Sequence, residues 1–470
     1  MAGLFASLNN SVQALQAQSR AIDIAGKNLA NVDNPNYARQ RVLLGSRGTI
    51  QTAQGPESMG VTALALEQMR DGLLDQQVMR EIALAAGFST EQQAYQRAEA
   101  GLGQSITGTQ MTSGSSSTGD NGLAAALDDF FNAFQSLATN PTDAGQRQTL
   151  IQSASILTDR MQLADTRLAQ VSADLDTAVS TDVSTSNRLL QTIADLNNQI
   201  FRFEINNPGS AVDLRDQRQA DLEQLVAKLP VATQTTPTGQ LQVYVKDSGG
   251  AKVILVDGSN VTGPIAFTGT QITGGPAATV LALKSGSISG ALTARDGAIK
   301  TLRDNLDQLS LQLVTSVNGA YNPTGLTGNF FNPAGTTAAT IAVAGGVNST
   351  TLKASDGGPA GDNSVALAIA QLATTKFSTA SGDAIDGSFG TFFSSAVSNL
   401  GQAVAGATAR VTDQTNIENL VRTQRDGVSG VSLDEETANL LKYQRAYQSS
   451  ARVFTTIDSL LDTVINHLGV

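Results

Sequence analysis

Paired carboxylates are the residues in this chain whose types could do chemistry, because a glycosidase needs only two of them. Asp128 and Asp129 are adjacent, and adjacent residues on a helix point about 100° apart, so they do not form one site. Asp213 and Asp216 are spaced so that they could face each other on a helix beside two arginines, which favours a local charge network. Neither pair lies in a segment rich in Trp or Tyr. The pattern therefore predicts no catalytic residue.

Other catalytic and metal-binding constellations are excluded by residue type. The chain has no cysteine and one histidine, His467, which rules out zinc fingers, thiol nucleophiles and disulfides. A Ser-His-Asp triad could use only this terminal histidine. No P-loop, Rossmann glycine motif, His-Glu-x-x-His or EF-hand loop is present. We expect no enzyme activity, no cofactor and no metal.

Composition narrows the class of partner. The net charge of −11 would repel a phosphate backbone, so we expect no nucleic-acid partner. The sequence has no basic amphipathic face of the kind that binds a membrane surface, and no apolar run of the roughly 20 residues that a transmembrane helix needs. We therefore expect no membrane partner. The N-terminus lacks the charged and apolar regions of a cleaved signal peptide. Aromatics are 4% and Trp is absent, which predicts thin layers rather than an aromatic-rich core.

Amphipathic helices are predicted at both ends of the chain. The first runs from about residue 4 to 31, and its apolar residues follow the three-four alternation of a coiled-coil seam. The last begins at a Ser-x-x-Glu capping box, Ser432 and Glu435, with acidic residues in its first turn. The seam residues predicted to form the assembly interface are Phe5, Leu8, Val12, Leu15, Ile22, Leu29, Leu433, Leu440, Tyr447, Phe454, Ile457, Leu461, Val464 and Leu468.

An apolar heptad stripe usually packs within its own domain, which is the simpler interpretation of both ends. Two features favour assembly instead. The stripes lie at opposite termini, and the last one is longer than a typical globular helix. Leu441, Leu460 and Ile465 lie outside the seam and would still need partners.

The segments between the ends alternate in character. Helices are expected from Leu64 onward, over 150–179 and over 189–203. Gly427 and Gly430 indicate a joint before the final helix. The predicted fold is mainly α with β-rich insertions, in an elongated multi-domain chain whose terminal helices pair as a coiled coil. The predicted parts are an inner coiled-coil domain (1–60 with 430–470), a helical middle domain (61–230 with 285–320 and 396–429), a β-rich outer insertion (231–284) and a second β-rich or irregular insertion (321–395).

The turn after the first helix resembles the N-terminal signature of flagellar rod, hook and hook-associated proteins. The matching residues are Asn28, Ala30, Asn31, Pro35, Tyr37 and Gln40. Asn34 and Asn36 replace the usual Thr and Gly. Because Asn tolerates a left-handed backbone, we expect the turn to survive.

Residues 430–448 are similar to the C-terminal motif of the same axial family, including Ser432 and Glu435, and are closest to its FlgK-type hook-associated proteins. Residues 128–132, Asn140-Pro141 and residues 213–218 also resemble that subfamily. The resemblance covers both ends and most of the helical middle of the chain.

This resemblance implies a structural subunit of the bacterial flagellum that joins hook to filament outside the cell. It implies export by the flagellar type III apparatus without a cleaved signal peptide. The expected partners are other copies in an annular homo-oligomer, the hook protein, the next hook-associated junction protein, and a cytoplasmic export chaperone that binds the C-terminal helix.

Three alternatives stay open at this point. Another axial protein, such as hook protein or flagellin, shares the N-terminal signature but not the segments at 128–141 and 430–448. A secreted adhesin or translocator with coiled-coil ends would bind cells through its insertions. A hydrolase with an acid pair in an insertion would lose activity when those aspartates are replaced.

Overall fold

The computed structural model describes residues 2–52, 55–102, 122–236, 239–325, 328–359 and 361–467. The chain forms two compact units, each built from separate stretches of sequence. Unit 1 comprises Met1–Ala85, Val183–Gly286 and Gln414–Val470, and unit 2 comprises Ala86–Asp182 and Ser287–Asp413. The four-part division inferred from the sequence stays a prediction.

Helices make up most of the described chain. The α-helices are α1 (Ala2–Ala30), α2 (Gly72–Gly101), α3 (Leu123–Thr139), α4 (Ala144–Glu204), α5 (Val212–Lys228), α6 (Gly286–Ala294), α7 (Lys300–Tyr321), α8 (Ser364–Gln371), α9 (Phe389–Ser429) and α10 (Leu433–Asp462). Short π-helical turns occupy Arg295–Ile299 and Thr463–His467, and a 3₁₀ turn occupies Thr379–Ser381. The strands are β1 (Gln40–Ser46), β2 (Thr49–Thr52), β3 (Gly55–Ser58), β4 (Val61–Gln68), β5 (Ala232–Thr235), β6 (Leu241–Lys246), β7 (Lys252–Asp257), β8 (Asn260–Val261), β9 (Ala266–Phe267), β10 (Ile272–Gly274) and β11 (Thr279–Val280).

The predicted fold class is confirmed: the chain is mainly α, carries small β-sheets, and pairs its N- and C-terminal helices. In unit 1, α10 packs along α1. The sheets are small and antiparallel. One of them has the strand order β5-β6-β7-β8, within the stretch 231–284 where strands were expected.

A β-ribbon follows α1, and the prediction of helix from Leu64 is wrong at this point. Strands β1 and β4 pair antiparallel, with Val42 opposite Leu66. Ala21, Ile24 and Val42 form a small core against which Leu66 packs. Ala and Leu in β4 suit a helix by intrinsic propensity, so pairing with β1 and burial against α1 decide the conformation instead.

Helix α4 is continuous, so the two helices expected over 150–179 and 189–203 are one. The residues between the two expected helices are mostly polar. In the structure, the hydroxyls of Thr177, Ser180 and Thr181 each donate to the backbone carbonyl four residues earlier. These local bonds satisfy the hydroxyls without interrupting the helix.

Unit 2 is built around an aromatic cluster, which contradicts the expectation of thin layers. Phe130 and Phe330 are fully buried, with ring centroids 5.8 Å apart. Phe130 also lies 5.1 Å from Phe131 and 5.2 Å from Phe134, both edge-on. The low overall aromatic content concealed this cluster because its members are concentrated in one unit. Each buried ring contributes roughly 1.5–3 kcal/mol by burial alone.

The stretch predicted as β-rich or irregular between 321 and 395 is mainly irregular in the part of the chain that the structure describes. It contains helix α8 and two isolated bridges, Phe331 to Val343 and Phe377 to Gly387. Turns held by Asn, Asp, Ser and Thr side chains connect them, as at Asn348, whose Oδ1 accepts from the backbone N–H of Thr350 and of Thr351.

A tight break separates α9 from α10. Of the two glycines expected there, Gly427 lies within α9 and Gly430 lies in the break. A Cβ on Gly430 would lie 2.4 Å from the backbone oxygen of Asp426, so no larger residue fits without moving the backbone. Ser432 then caps α10, its hydroxyl accepting from the backbone N–H of Glu435.

Candidate assembly site at the paired terminal helices

Helix α1 is covered on two sides in unit 1, by α10 and by the β1–β4 ribbon. Its most buried apolar residues are small, with Ala17, Ala21 and Ala25 each 2% exposed. Small side chains allow neighbouring elements to approach closely. The small side chains on the covered side of α1 therefore suit a close approach by α10 and the ribbon.

Helix α10 is covered on one side only. Among its described residues, Glu436 and Leu461 alone are buried. Large apolar side chains elsewhere on the helix face solvent: Leu441 is 55% exposed, Val453 52% and Leu460 51%. Val453 and Leu460 are seven residues apart and so lie on the same side of the helix. We call these two residues the outer pair.

The predicted seam residues differ in burial. Leu8, Val12, Leu15, Ile22, Leu29, Leu440, Phe454 and Ile457 are half-buried. Leu461 is buried, whereas Phe5, Leu433, Tyr447 and Val464 are exposed. Leu468 lies outside the described residues. The role of the whole set in assembly stays a prediction.

Asn28 connects the two termini. Its side chain is 1% exposed. Its amide nitrogen donates to the backbone oxygen of Gln40, at 2.8 Å, and to Glu436 Oε2, at 3.0 Å. Its amide oxygen accepts from the Tyr37 hydroxyl, at 2.8 Å, and from the backbone N–H of Gln40, at 3.0 Å. Every hydrogen-bonding position of this side chain is thus used.

Glu436 and Arg39 hold the start of α10 against the turn after α1. Glu436 is 3% exposed, and its second oxygen accepts from Arg39 Nε at 2.8 Å. Arg39 also donates to Glu435 at 2.6 Å. The predicted capping box is therefore half realised: Ser432 caps the helix, while Glu435 binds an arginine from the other end of the chain.

The family-motif turn forms without the left-handed backbone that was expected. Among described residues, Ala278 is the only one other than glycine with a positive φ. Instead, Asn34 Oδ1 accepts from the backbone N–H of Asn36 at 3.1 Å, and Asn34 Nδ2 donates to Asn31 Oδ1 at 3.2 Å. In this Asx turn, a side-chain hydrogen bond stabilises the conformation at a position where the family usually has glycine.

The remaining motif residues lie around the same turn. Asn31 donates to the backbone oxygen of Lys27, and the backbone oxygen of Pro35 accepts from Arg425 at 3.4 Å. Ala30 ends α1 and is exposed. Gln40 reaches α5, where its side chain donates to Asp213 at 3.0 Å.

Tyr37 lies between these acidic groups. Burial raises the pKa of its hydroxyl well above its usual value, and the negative charges of Asp216, Asp213 and Glu436 raise it further. The hydroxyl therefore stays protonated at any physiological pH, which keeps it a donor to Asn28.

Arg70 holds two buried carboxylates. It donates to Asp216 at 2.6 Å and to Asp75 at 3.1 Å. Burial raises the pKa of both carboxyl groups, although the attraction of Arg70 opposes the shift. Asp75 Oδ1 is buried and has no hydrogen-bond partner among the described residues. One guanidinium thus only partly compensates two carboxylates.

This cluster predicts an unusual pH dependence. Between the unfolded carboxyl pKa, near 3.9, and the raised folded pKa, the folded chain binds more protons than the unfolded chain, so stability falls as pH rises. We expect the unaltered chain to lose stability relative to Asp75→Asn from about pH 4 toward neutrality. Urea unfolding of both chains across that range measures this. Parallel profiles, or a relative gain by the unaltered chain, would contradict it.

The aspartates first considered for catalysis do not form an acid pair. Asp128 and Asp129 are both exposed on α3. Asp213 accepts a hydrogen bond from Gln40, and Asp216 accepts one from Arg70. Both partners are far away in sequence and lie outside α5. The local charge network expected here is therefore a long-range one.

The described residues offer neither a metal site nor a membrane-spanning helix. No group of three or more His, Cys, Asp or Glu side chains is arranged to hold a metal ion there. None of the described helices combines the length and the apolar character that crossing a bilayer requires.

Several known flagellar proteins are similar to this chain. A family model described as the flagellar hook-associated protein FlgK helical domain matches residues 109–331. A second, described as the flagellar basal body rod FlgEFG protein C-terminal, matches residues 426–467. Flagellar hook-associated protein 1 of Bacillus subtilis (strain 168) is 26% identical over 526 residues, which cover 100% of this chain and 99% of that protein.

Over its full length the chain is thus similar to flagellar hook-associated protein 1. The hook-associated protein 1 of Escherichia coli (strain K12) is 23% identical over 255 residues, and this alignment spans 53% of the chain and 42% of the relative. The fold agrees with that of a solved structure titled the flagellar hook junction protein FlgK from Burkholderia pseudomallei. Its TM-score is 0.62 at 13% identity, with 75% of this chain and 100% of that chain covered.

Sequence reasoning missed part of the site. Arg39 and Glu436 were not singled out, although they connect the motif turn to α10. Acidic residues in a first helical turn are explained by the helix dipole alone, so nothing marked Glu436 as buried. A signal did exist at Asp213 and Asp216, but their partners could not be identified from spacing.

Proposed function

We propose that the chain is a structural subunit of the bacterial flagellum that joins the hook to the filament through its terminal helices. The similarity to flagellar hook-associated protein 1 supports the flagellar role. The part of the proposal that is specific to this chain is the mode of assembly, in which α1 and α10 form a preformed pair and neighbouring subunits pack against it.

The exposed apolar side of α10 carries this proposal. The outer pair and Leu441 are each about half exposed, and a long helix with unburied apolar side chains is typical of a surface that is covered by a partner. The network around Asn28 supports it further, because it fixes the start of α10 and so fixes the direction in which the outer pair faces.

The proposed partners follow from the family. Copies of the chain form an annular layer, with hook protein on one side and the next hook-associated junction protein on the other. The subunit reaches this place outside the cell through the flagellar type III export apparatus, without a cleaved signal peptide, and a cytoplasmic chaperone binds the C-terminal helix before export.

The test introduces polar residues on the outer pair, Val453→Asn with Leu460→Asn. In a bacterium that lacks its own copy, we expect this double variant to be made and folded but to leave filaments unattached, because assembly then buries amide groups without partners. Electron microscopy of hooks and filaments measures attachment, and circular dichroism of the purified chain checks folding.

A matched control exists on another helix. Ile156 and Leu163 on α4 are also seven residues apart, and they are 38% and 48% exposed. The variant Ile156→Asn with Leu163→Asn should support normal filaments. Normal attachment by the outer-pair variant, or by a chain truncated after Ser432, would overturn the proposal.

The chaperone is tested separately on the same helix. Leu461 is 6% exposed, so replacing it disturbs the contact with α1 as well as any partner. Leu460→Asp changes a neighbouring side chain that faces solvent. We expect it to weaken the chaperone complex about tenfold or more, as measured by calorimetry. An unchanged affinity would show that the outer pair is not part of the chaperone-binding site.

A further inference from the structure

A cleft in unit 1 lies apart from the paired helices. It has a volume of about 420 Å³ and is formed by the end of α4, the start of α5 and the approach to β6. Phe201 and Ile205 contribute apolar walls and are 43% and 64% exposed. This volume lies within the range of pockets that bind small ligands.

Arg218 supplies the charge of this cleft. Its Nη1 donates to Asn197 Oδ1 at 2.8 Å. Asn197 is 1% exposed, and its amide nitrogen donates to the backbone oxygens of Leu241 and Gly258, at 3.0 and 2.7 Å. These two bonds fix the amide so that its oxygen points at Arg218. The partner of the guanidinium is therefore neutral.

A second arginine in the cleft already has its counter-charge. Arg215 binds Glu204 through two parallel hydrogen bonds, of 2.8 and 2.6 Å. Glu204 is thereby occupied, and Arg218 has no ion pair with any carboxylate among the described residues. Burial and the positive charge of Arg215 lower the pKa of Arg218 to about 10, although the negative charge of Glu204 opposes the shift, so Arg218 remains charged at neutral pH.

We propose that this cleft binds an apolar group that carries a carboxylate. The carboxylate would accept from the free edge of the Arg218 guanidinium, a geometry that suits two parallel charge-assisted hydrogen bonds. The apolar group would lie against Phe201 and Ile205. The chain as a whole is acidic, with a net charge of −11, so the half-buried Arg218 guanidinium, which has no carboxylate partner within ion-pair distance among the described residues, would select an anion by local chemistry rather than by the overall field.

The first test compares two probes that differ only in charge, 3-phenylpropionate and 3-phenylpropionamide, on the unaltered chain. We expect the acid to bind about tenfold or more tightly, since hydrogen bonds to charged groups exceed neutral ones by that much. Chemical-shift titration gives the affinity. Equal affinities, or no binding of the acid at millimolar concentration, would overturn the proposal.

Variants assign the binding to this cleft. Arg218→Met should remove the preference for the acid, and Arg218→Lys should keep part of it. Phe201→Ser should weaken both probes, whereas Phe203→Ser should weaken neither, because Phe203 is 64% exposed and does not line the cleft. Equal effects of the two Phe variants would refute the assignment. Both phenylalanines are exposed on α4, so this comparison can be made even if Arg218→Met does not fold.

Two sources could present this chemistry, a small carboxylic acid or an acidic residue beside an apolar one in a protein. N-acetyl-Phe-Asp-amide and N-acetyl-Phe-Asn-amide separate them. Tighter binding of the Asp dipeptide than of 3-phenylpropionate supports a protein segment as the ligand, and the reverse order supports a small acid.

Discussion

The Asn28→Ala variant is expected to lose about 3–5 kcal/mol of unfolding free energy in unit 1. The substitution removes both donors and the acceptor of a side chain that is fully used. It leaves the Tyr37 hydroxyl, the backbone N–H and C=O of Gln40, and one oxygen of Glu436 without these partners. Buried groups that lose a hydrogen-bond partner each cost about 1–3 kcal/mol unless water replaces it. Equilibrium denaturation measures the loss.

Asn31→Ala is the matched control for this prediction. Asn31 is one turn away from Asn28, and its side chain makes two exposed bonds, donating to the backbone of Lys27 and accepting from Asn34. We expect it to cost less than about 1 kcal/mol. Hydrogen exchange adds a local measurement, since Asn28→Ala should increase exchange at the start of α10 and Asn31→Ala should not. Equal costs for the two variants would mean that Asn28 does not hold the termini together.

The Phe130→Ala variant is expected to lose about 3–5 kcal/mol in unit 2. Phe130 is fully buried and has four ring neighbours, including Phe331 at 5.6 Å. Its removal leaves a cavity that rings fixed by their own contacts cannot fill. Denaturant unfolding, with hydrogen exchange in α3 to locate the change, gives the cost.

Phe203→Ala is the matched control, because it makes the same truncation at a different position. Phe203 is exposed on α4, so the same truncation should change stability by no more than about 0.5 kcal/mol. Phe130→Leu should fall between the two, because part of the volume is kept. A cost for Phe130→Ala that is no larger than that for Phe203→Ala would show that the cluster does not stabilise unit 2.

The helical elements could be predicted because their signal is local. Apolar spacing identified both terminal helices, and the cap at Ser432 identified the start of α10. The same approach failed at β4, where Ala and Leu suit either conformation and the pairing partner β1 decides. It also failed between residues 179 and 189, where two separate helices were expected but the chain is helical throughout and its hydroxyls bond within the helix.

The site was harder to predict than the elements because its contacts connect distant positions. Asn28 could be singled out through the family signature, yet nothing near it in sequence points to Glu436. Asp216 was noticed as part of a charged pair, but its partner Arg70 comes from before α2. Side-chain partners of this kind follow from tertiary packing, and periodicity carries no information about them.

The bond between Asn28 and Glu436 joins residues 408 positions apart in the chain. Closing so long a loop costs conformational entropy before any contact can compensate for it, so such pairings form late and slowly. During synthesis, this bond therefore cannot form until almost the entire polypeptide has been made. Completion of unit 1 is thus timed by the emergence of the last helix, and a chain interrupted earlier leaves its N-terminal polar groups exposed to water.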